Sequence, residues 1–380
     1  MEIVLNAGLG IGVFMFFLLL LKKEKEQGDF LFLGWIAVTL LQIIFYEITI
    51  YNFALKGIWA ILGFGLPLLG APLLFLYILS LTGHRVSWKT STAHLGIYGI
   101  YVVCLFVLQH KDAVSLTAVN GYFEMANTSP KWMNYYAIPL AISGFVYCLW
   151  DLFLLKRHRT TIAELFSFDE KINLKWLKYV VYSYFILFVL ASFLIFGATQ
   201  FKIIPIQNAF ALVGITLSIM LIAFGFYGFR QTAIFSGNTI QDPSLLELDA
   251  PSLKKAAYSK SGLTTKKVDE LGAQLMDDMK VEKPFLDEDL SLSLLSEKSG
   301  INPSHLSQVI NQHFDLNFYD FVNQYRVAEA KKMLSSRKFD HLSVLGIAYD
   351  CGFKSKSSFN RYFKKYTSLS PSEYKKKNSQ

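Results

Sequence analysis

Residues 290–314 read LSLSLLSEKSGINPSHLSQVINQHF, and the punctuation of this stretch decides the fold of the C-terminal third. Ser291 suits the N-cap of a helix that turns Leu292 and Leu295 inward. Gly300 ends that helix, because glycine enters the left-handed stop conformation without a steric penalty. Asn302 caps the next helix and Pro303 opens it, at a position where the missing N–H costs nothing. On this second helix Leu306, Val309 and Ile310 form one apolar stripe. Ser304, His305, Ser307, Gln308, Asn311 and Gln312 point away from it. Two short helices around a tight turn with glycine are the helix-turn-helix pattern.

The pattern recurs. Residues 343–366 read SVLGIAYDCGFKSKSSFNRYFKKY, and at an offset of 52 Leu295 corresponds to Ile347, Ser296 to Ala348 and Gly300 to Gly352. One residue is added in the turn, after which Leu306, Val309 and Ile310 correspond to Phe359, Tyr362 and Phe363. An internal repeat is more specific than either copy alone. Lys356, Ser357, Ser358, Asn360, Arg361 and Lys364 are left facing outward on the second copy. Between the copies, NFYDFVNQYRVAEAKKMLSSRK supports one continuous helix. From Phe318 to Ser336 it would run about 28 Å, against about 34 Å for one turn of duplex DNA. A rod of that length can hold two recognition helices in successive major grooves, with bent DNA taking up any mismatch.

Charge agrees. Residues 298–380 hold 14 Lys/Arg against 6 Asp/Glu, net +8, whereas residues 230–297 are net −4 and residues 1–229 net +4. A concentrated basic block points to a polyanion, and short amides and hydroxyls suit base edges and phosphates. Taken singly, each outward residue could equally be ordinary solvated surface.

These residues carry a resemblance. LSQVINQ in the first unit, YRVAEAKKML in the connecting helix, and IAYDCGF, SFNRYFKK and SPSEY in the second make residues 263–380 resemble the DNA-binding domain of AraC/XylS-type transcription regulators. The resemblance implies an all-helical domain, promoter binding, and activation or repression of transcription with RNA polymerase as a partner. With the N-terminal half included, the chain is similar to membrane-bound regulators of this type. Three positions depart from the family pattern: Ser368 where glycine is usual, Gly346 inside a helix, and Lys375 for a common arginine.

The N-terminal half is of another kind. Only 17% of the whole chain is charged and 53% is hydrophobic, where soluble proteins carry about 25% charged residues. Seven predominantly apolar stretches, at residues 3–21, 30–51, 58–81, 92–109, 134–155, 177–198 and 208–229, each suit a bilayer crossing of roughly 20 residues. The first lacks a basic n-region and a cleavage site, so it reads as a membrane helix rather than a signal peptide. Loops 22–29, 82–91 and 156–176 carry ten cations: Lys22, Lys23, Lys25, Arg85, Lys89, Lys156, Arg157, Arg159, Lys171 and Lys175. The alternate loops carry four: Lys56, Lys111, Lys131 and Lys202. This bias predicts a multi-pass protein of the bacterial inner membrane, N-terminus outside and tail in the cytoplasm with the DNA.

Within the spans, Glu47 is a candidate for sensing a signal ligand or touching another helix, although its place near a helix end also suits headgroup contact. Pro67 and Pro72, in GFGLPLLGAP, predict a kink that could border a ligand pocket. No HExxH, GxSxG or Walker A pattern occurs. His84, His94, His110 and His158 read as non-catalytic, and Cys104, Cys148 and Cys351 as small buried hydrophobes with no metal spacing. Neither an enzyme nor a cofactor is expected.

The expected fold is therefore all-α: a seven-helix transmembrane bundle (1–229), a polar cytoplasmic linker (230–262) and a double helix-turn-helix domain (263–380). In the last, residues 263–283 form a helix that packs as the domain's first helix or pairs with its copy in a homodimer. The expected function is a one-piece sensor and transcription regulator. Two rivals are a transporter or enzyme with a regulatory tail, which transport in vesicles would reveal, and a passive anchor whose tail is freed by proteolysis, which a soluble fragment would reveal.

Overall fold

The computed structural model describes residues 2–50, 55–84, 86–111, 116–119, 122–125, 135, 138–168, 174–201, 203–235 and 263–378. Linker residues 236–262 and the loop cations Arg85, Lys131, Lys171 and Lys202 lie outside the described residues. The chain forms two compact units: residues 1–155 with 174–241, and residues 156–173 with 242–380.

The first unit holds α1 (Glu2–Leu20), α2 (Gln27–Ile50), α3 (Ile58–Gly65), α4 (Pro67–Leu81), α5 (Trp88–Lys111), most of α6 (Ile138–Leu165), α7 (Lys175–Gln200) and α8 (Ile206–Phe235). Among the described residues, seven helical segments are long and apolar enough to cross a membrane, by length and composition. Helix α2 is central and packs on α1, α4 and α8. Phe32, Trp35, Tyr77 and Phe224 form its buried aromatic heart, with ring centroids 4.5–6.2 Å apart. Two buried hydroxyls are satisfied within their own helices: Thr39 Oγ1 donates to the Trp35 carbonyl at 2.8 Å, and Ser218 Oγ to that of Gly214 at 3.0 Å. Phe14 and Phe17 on α1, Ile100 and Val103 on α5, and Ile186 and Phe193 on α7 are exposed. Large apolar side chains turned outward on several helices suit a hydrocarbon surround.

The third apolar stretch is two helices. The chain breaks at Leu66, whose N–H donates to Gly63 O at 3.2 Å, and Pro67 opens α4. Proline cannot donate to the preceding turn, so the expected kink takes the form of a break. Pro72 is buried inside α4. Glu47 is half-buried in the last turn of α2, and Gln42 Nε2 donates to Tyr46 OH at 3.1 Å beside it. Two features depart from the sequence reading. A small antiparallel sheet joins β1 (Leu55–Lys56), β2 (Leu116–Val119) and β3 (Tyr122–Met125), so the chain is helical but not purely so. Cys104 is exposed, whereas Cys148 and Cys351 are buried.

The second unit contains α9 (Thr265–Val281), α10 (Leu292–Ser299), α11 (Pro303–His313), α12 (Phe318–Leu334), α13 (Val344–Asp350), α14 (Lys356–Thr367) and α15 (Pro371–Asn378). Helix α9 buries Val268, Gly272, Leu275 and Met279 and packs on α11. A β-carbon on Gly272 would lie 2.6 Å from the His313 ring, and Asp269 bonds His313 Nδ1 at 2.9 Å. Its apolar face is thus used inside the domain, which removes that face from any pairing between copies. Lys283 Nζ donates to Glu329 Oε1 at 2.6 Å; that hydrogen bond, with Lys332 nearby, holds the Glu329 carboxyl below its usual range.

This unit also takes in the end of α6. The sequence reading treats residues 156–176 as a loop, yet α6 continues to Leu165. The segment KRHRTTIAEL has neither proline nor glycine to stop it, and His158, Thr161, Ile162 and Leu165 recur at helical spacing and are all buried.

Candidate nucleic-acid interface

Both helix-turn-helix units are built by local capping. Ser291 Oγ accepts from Leu294 N at 3.2 Å, Asn302 Oδ1 from Ser304 N at 2.9 Å, Asn317 Oδ1 from Asp320 N at 2.8 Å, Ser343 Oγ from Gly346 N at 2.9 Å and Ser355 Oγ from Ser358 N at 3.2 Å. Each supplies an acceptor to a helix N-terminus that has spare donors. Gly300 (φ 67°) and Gly352 (φ 84°) hold the left-handed position in equivalent turns. Ser368, where the resemblance leads one to expect glycine, ends α14 at φ 61°.

Helix α12 joins the units. Its 17 residues span about 25 Å. Phe318, Phe321, Val322, Val327, Ala330 and Leu334 are buried along it. Arg326 shares this buried side, one helical turn from both Val322 and Ala330, and is only 1% exposed. Its Nε donates to Phe285 O at 2.7 Å and its Nη2 to Asp287 O at 2.7 Å. A planar guanidinium has five donors in fixed directions, so this arginine ties together the turn before α10 and the middle of α12.

On the second recognition helix, α14, Phe359, Tyr362 and Phe363 face the core. Lys356, Ser357, Asn360, Arg361 and Lys364 are exposed; Ser358 is buried at 6%, because it lies one helical turn before Tyr362 at the edge of the core-facing stripe. Arg361 Nη2 donates to Tyr319 OH at 2.7 Å, which steadies the exposed guanidinium from α12. Tyr362 OH and Lys365 Nζ both donate to Asp320 Oδ1, at 3.1 and 2.7 Å. Burial, with Tyr319 and Asp320 adjacent, pushes the Tyr362 phenol up, so it stays a neutral donor. Cys351, buried against Met333, has its thiol pushed up to about 12 by burial and offers no reactive thiolate.

The first recognition helix, α11, differs. Ser304 and His305 are half-buried, Ser307 and Gln308 are buried at 8% and 3%, and Asn311 is half-buried. Asn311 Nδ2 donates to Ser307 O at 2.8 Å and to Glu164 Oε2 at 3.2 Å. Sequence reasoning left out Glu164, Ser167, Asn323 and Arg326. Only Arg326 had a local signal, a basic residue in register with an apolar stripe.

Comparison with known proteins agrees with this architecture. Residues 295–377 match the family model described as a helix-turn-helix domain, and they form one. An uncharacterised HTH-type transcriptional regulator of Staphylococcus aureus (strain COL) is 39% identical over 88 residues, covering 23% of this chain and 11% of that protein. The uncharacterised HTH-type transcriptional regulator YpdC of Escherichia coli (strain K12) is 37% identical over 75 residues, covering 20% of this chain and 25% of that protein. The chain thus spans about a ninth and a quarter of these relatives' lengths. No solved structure matches.

Proposed function

We propose that this chain is a membrane-bound, sequence-specific DNA-binding transcription regulator of the AraC type, whose seven apolar helices sense a signal and whose tail reads duplex DNA. The observation that carries the DNA part is two capped helix-turn-helix units on one rigid helix, with Lys356, Asn360, Arg361 and Lys364 exposed on α14. The lipid bilayer is the surround that the outward apolar side chains call for. A homodimer, RNA polymerase and a signal ligand, with Glu47, Pro67 and Pro72 near its site, complete the reading.

Full-length protein in detergent should bind duplex DNA with an affinity that falls steeply as salt rises, because lysine and arginine displace condensed counterions. Arg361→Ala should weaken binding by roughly 1–3 kcal/mol if the guanidinium reads a base, and should then relax sequence preference. A phosphate contact would instead weaken all sequences alike and flatten the salt slope. Unchanged affinity and preference would show that α14 does not face DNA.

The membrane part has its own test. A reporter fused after Arg230 should be active only as a cytoplasmic fusion, and one in the 110–131 loop only as an external one, following the ten-to-four cation bias. An external Arg230 fusion would separate the tail from DNA and sink the whole reading.

A further inference from the structure

The last turns of α6 and the three residues after it are docked on the DNA-binding unit by contacts too specific for a passing loop. Thr161, Ile162, Glu164, Leu165, Phe166, Ser167 and Phe168 are all buried. Phe166 pairs with Ser291 in an isolated antiparallel bridge. Ser167 N donates to Leu290 O at 3.2 Å, and Ser167 Oγ to the same carbonyl at 2.6 Å. The Ser167 carbonyl accepts from Arg326 Nη1 at 3.0 Å and Asn323 Nδ2 at 3.2 Å, while its hydroxyl accepts from Arg326 Nη2 at 3.0 Å. One serine thus uses its N–H, its C=O and its hydroxyl against the connecting helix and the N-terminus of α10. Lys354, from the turn before α14, sits 3.8 Å from the centre of the Phe168 ring.

The same segment reaches the first recognition helix through Glu164 and Asn311. At about 100° per residue, Gln308 lies roughly opposite the Leu306/Val309/Ile310 stripe, where a helix-turn-helix unit standing alone would leave it in water. Instead Gln308 is buried, and its Oε1 has no hydrogen-bond partner among the described residues. Ser307, one helical turn from Asn311, is buried too. The middle of the outward face of α11 is therefore covered at Ser307 and Gln308, with Ser304, His305 and Asn311 half-buried and Gln312 exposed, while Asn360, Arg361 and Lys364 at the equivalent places on α14 are open.

We propose that residues 161–168 are an autoinhibitory latch: docked on α12 and over α11, they keep the first recognition helix from duplex DNA, and their release activates it. This rests on the DNA-binding reading given above and adds its regulation. The latch directly continues α6, an apolar span. A shift in the end of that helix therefore reaches it without passing through residues 236–262.

The test compares full-length wild type with Ser167→Pro, which removes the N–H and the hydroxyl without changing charge, using a labelled duplex and protein in detergent. The variant should bind about tenfold more tightly, as follows when the competent fraction rises tenfold. Glu164→Gln should shift affinity the same way by less. Equal or weaker binding by Ser167→Pro, with its helicity retained, overturns the latch. Hydrogen exchange on the wild-type protein decides the matter if the variant misfolds. Residues 161–168 should lose protection when duplex is added, and unchanged or increased protection overturns the proposal. If wild type, Ser167→Pro and Arg361→Ala all fail to bind duplex at low salt, the DNA-binding reading falls and the latch with it. Tight wild-type binding with no difference for Ser167→Pro sinks the latch alone.

Discussion

Arg326→Ala should loosen the DNA-binding unit by roughly 3–5 kcal/mol, the largest loss expected of any single substitution here. The side chain is buried, and its removal strips donors from the carbonyls of Phe285, Asp287 and Ser167 at once. The Phe285 carbonyl loses its donor, which costs about 1–3 kcal/mol; those of Asp287 and Ser167 keep Leu290 N and Asn323 Nδ2, and the lost charged hydrogen bonds and the cavity make up the rest. Hydrogen exchange on α12 in the full-length protein is the direct measure. Slow amides such as those of Val327 and Ala330 should exchange on the order of a hundredfold faster or more. Arg326→Lys keeps the charge but not the fork, and should fall between the two. Exchange unaltered in both variants would mean that the carbonyls find other donors and that Arg326 is not the tie described above.

Gly352→Ala should be nearly as damaging, and Gly300→Ala far less so, although the two glycines hold equivalent turns of the repeat. Both have positive φ, so any β-carbon brings backbone strain of about 1–2 kcal/mol. At Gly300 nothing lies within 4 Å of the new atom. At Gly352 it would stand 2.5 Å from Phe285 O and 2.8 Å from Leu286 O, backbone atoms that cannot swing aside. The expected cost at Gly352 is therefore roughly 3 kcal/mol or more. The same exchange measurement, read on α13 and α14, should show a large gap between the two variants. Equal effects would mean that the turn before α10 moves easily.

What could be read without coordinates was local. Ser291, Asn302, Gly300 and their counterparts Ser343, Ser355 and Gly352 announce helix ends through the chemistry of a few neighbouring residues. The apolar stripes of α11 and α14 follow from period alone. Pro67 marks the break between α3 and α4 for the same reason. The rest was not legible because it depends on distant partners. KRHRTTIAEL begins with a cluster of cations, the ordinary mark of a loop outside the bilayer, and so hides the helix that continues through it. Ser167 carries no periodic or motif signal; its role appears only when Arg326 and Leu290, more than a hundred positions away, are beside it. The burial of Ser307 and Gln308 is invisible for that reason too. A recognition helix read by itself always shows its polar face to solvent. The small sheet escaped because strands of two to four residues are too short to show alternation.

The contrast between a covered α11 and an open α14 bears on how such a protein would search a chromosome. If the latch holds, the chain with only its more basic reading head available would hold DNA chiefly through phosphate attraction, a grip weak enough to slide and hop. It would then sample many sequences quickly and hold each only as long as the contacts of α14 allow. Uncovering the second head adds contacts that only a properly spaced pair of half-sites can satisfy at the same time. Residence time would then rise at those sites and change little elsewhere. Speed of scanning and fidelity of stopping, which compete in a reader whose grip is fixed, would be assigned to different conformations of one molecule.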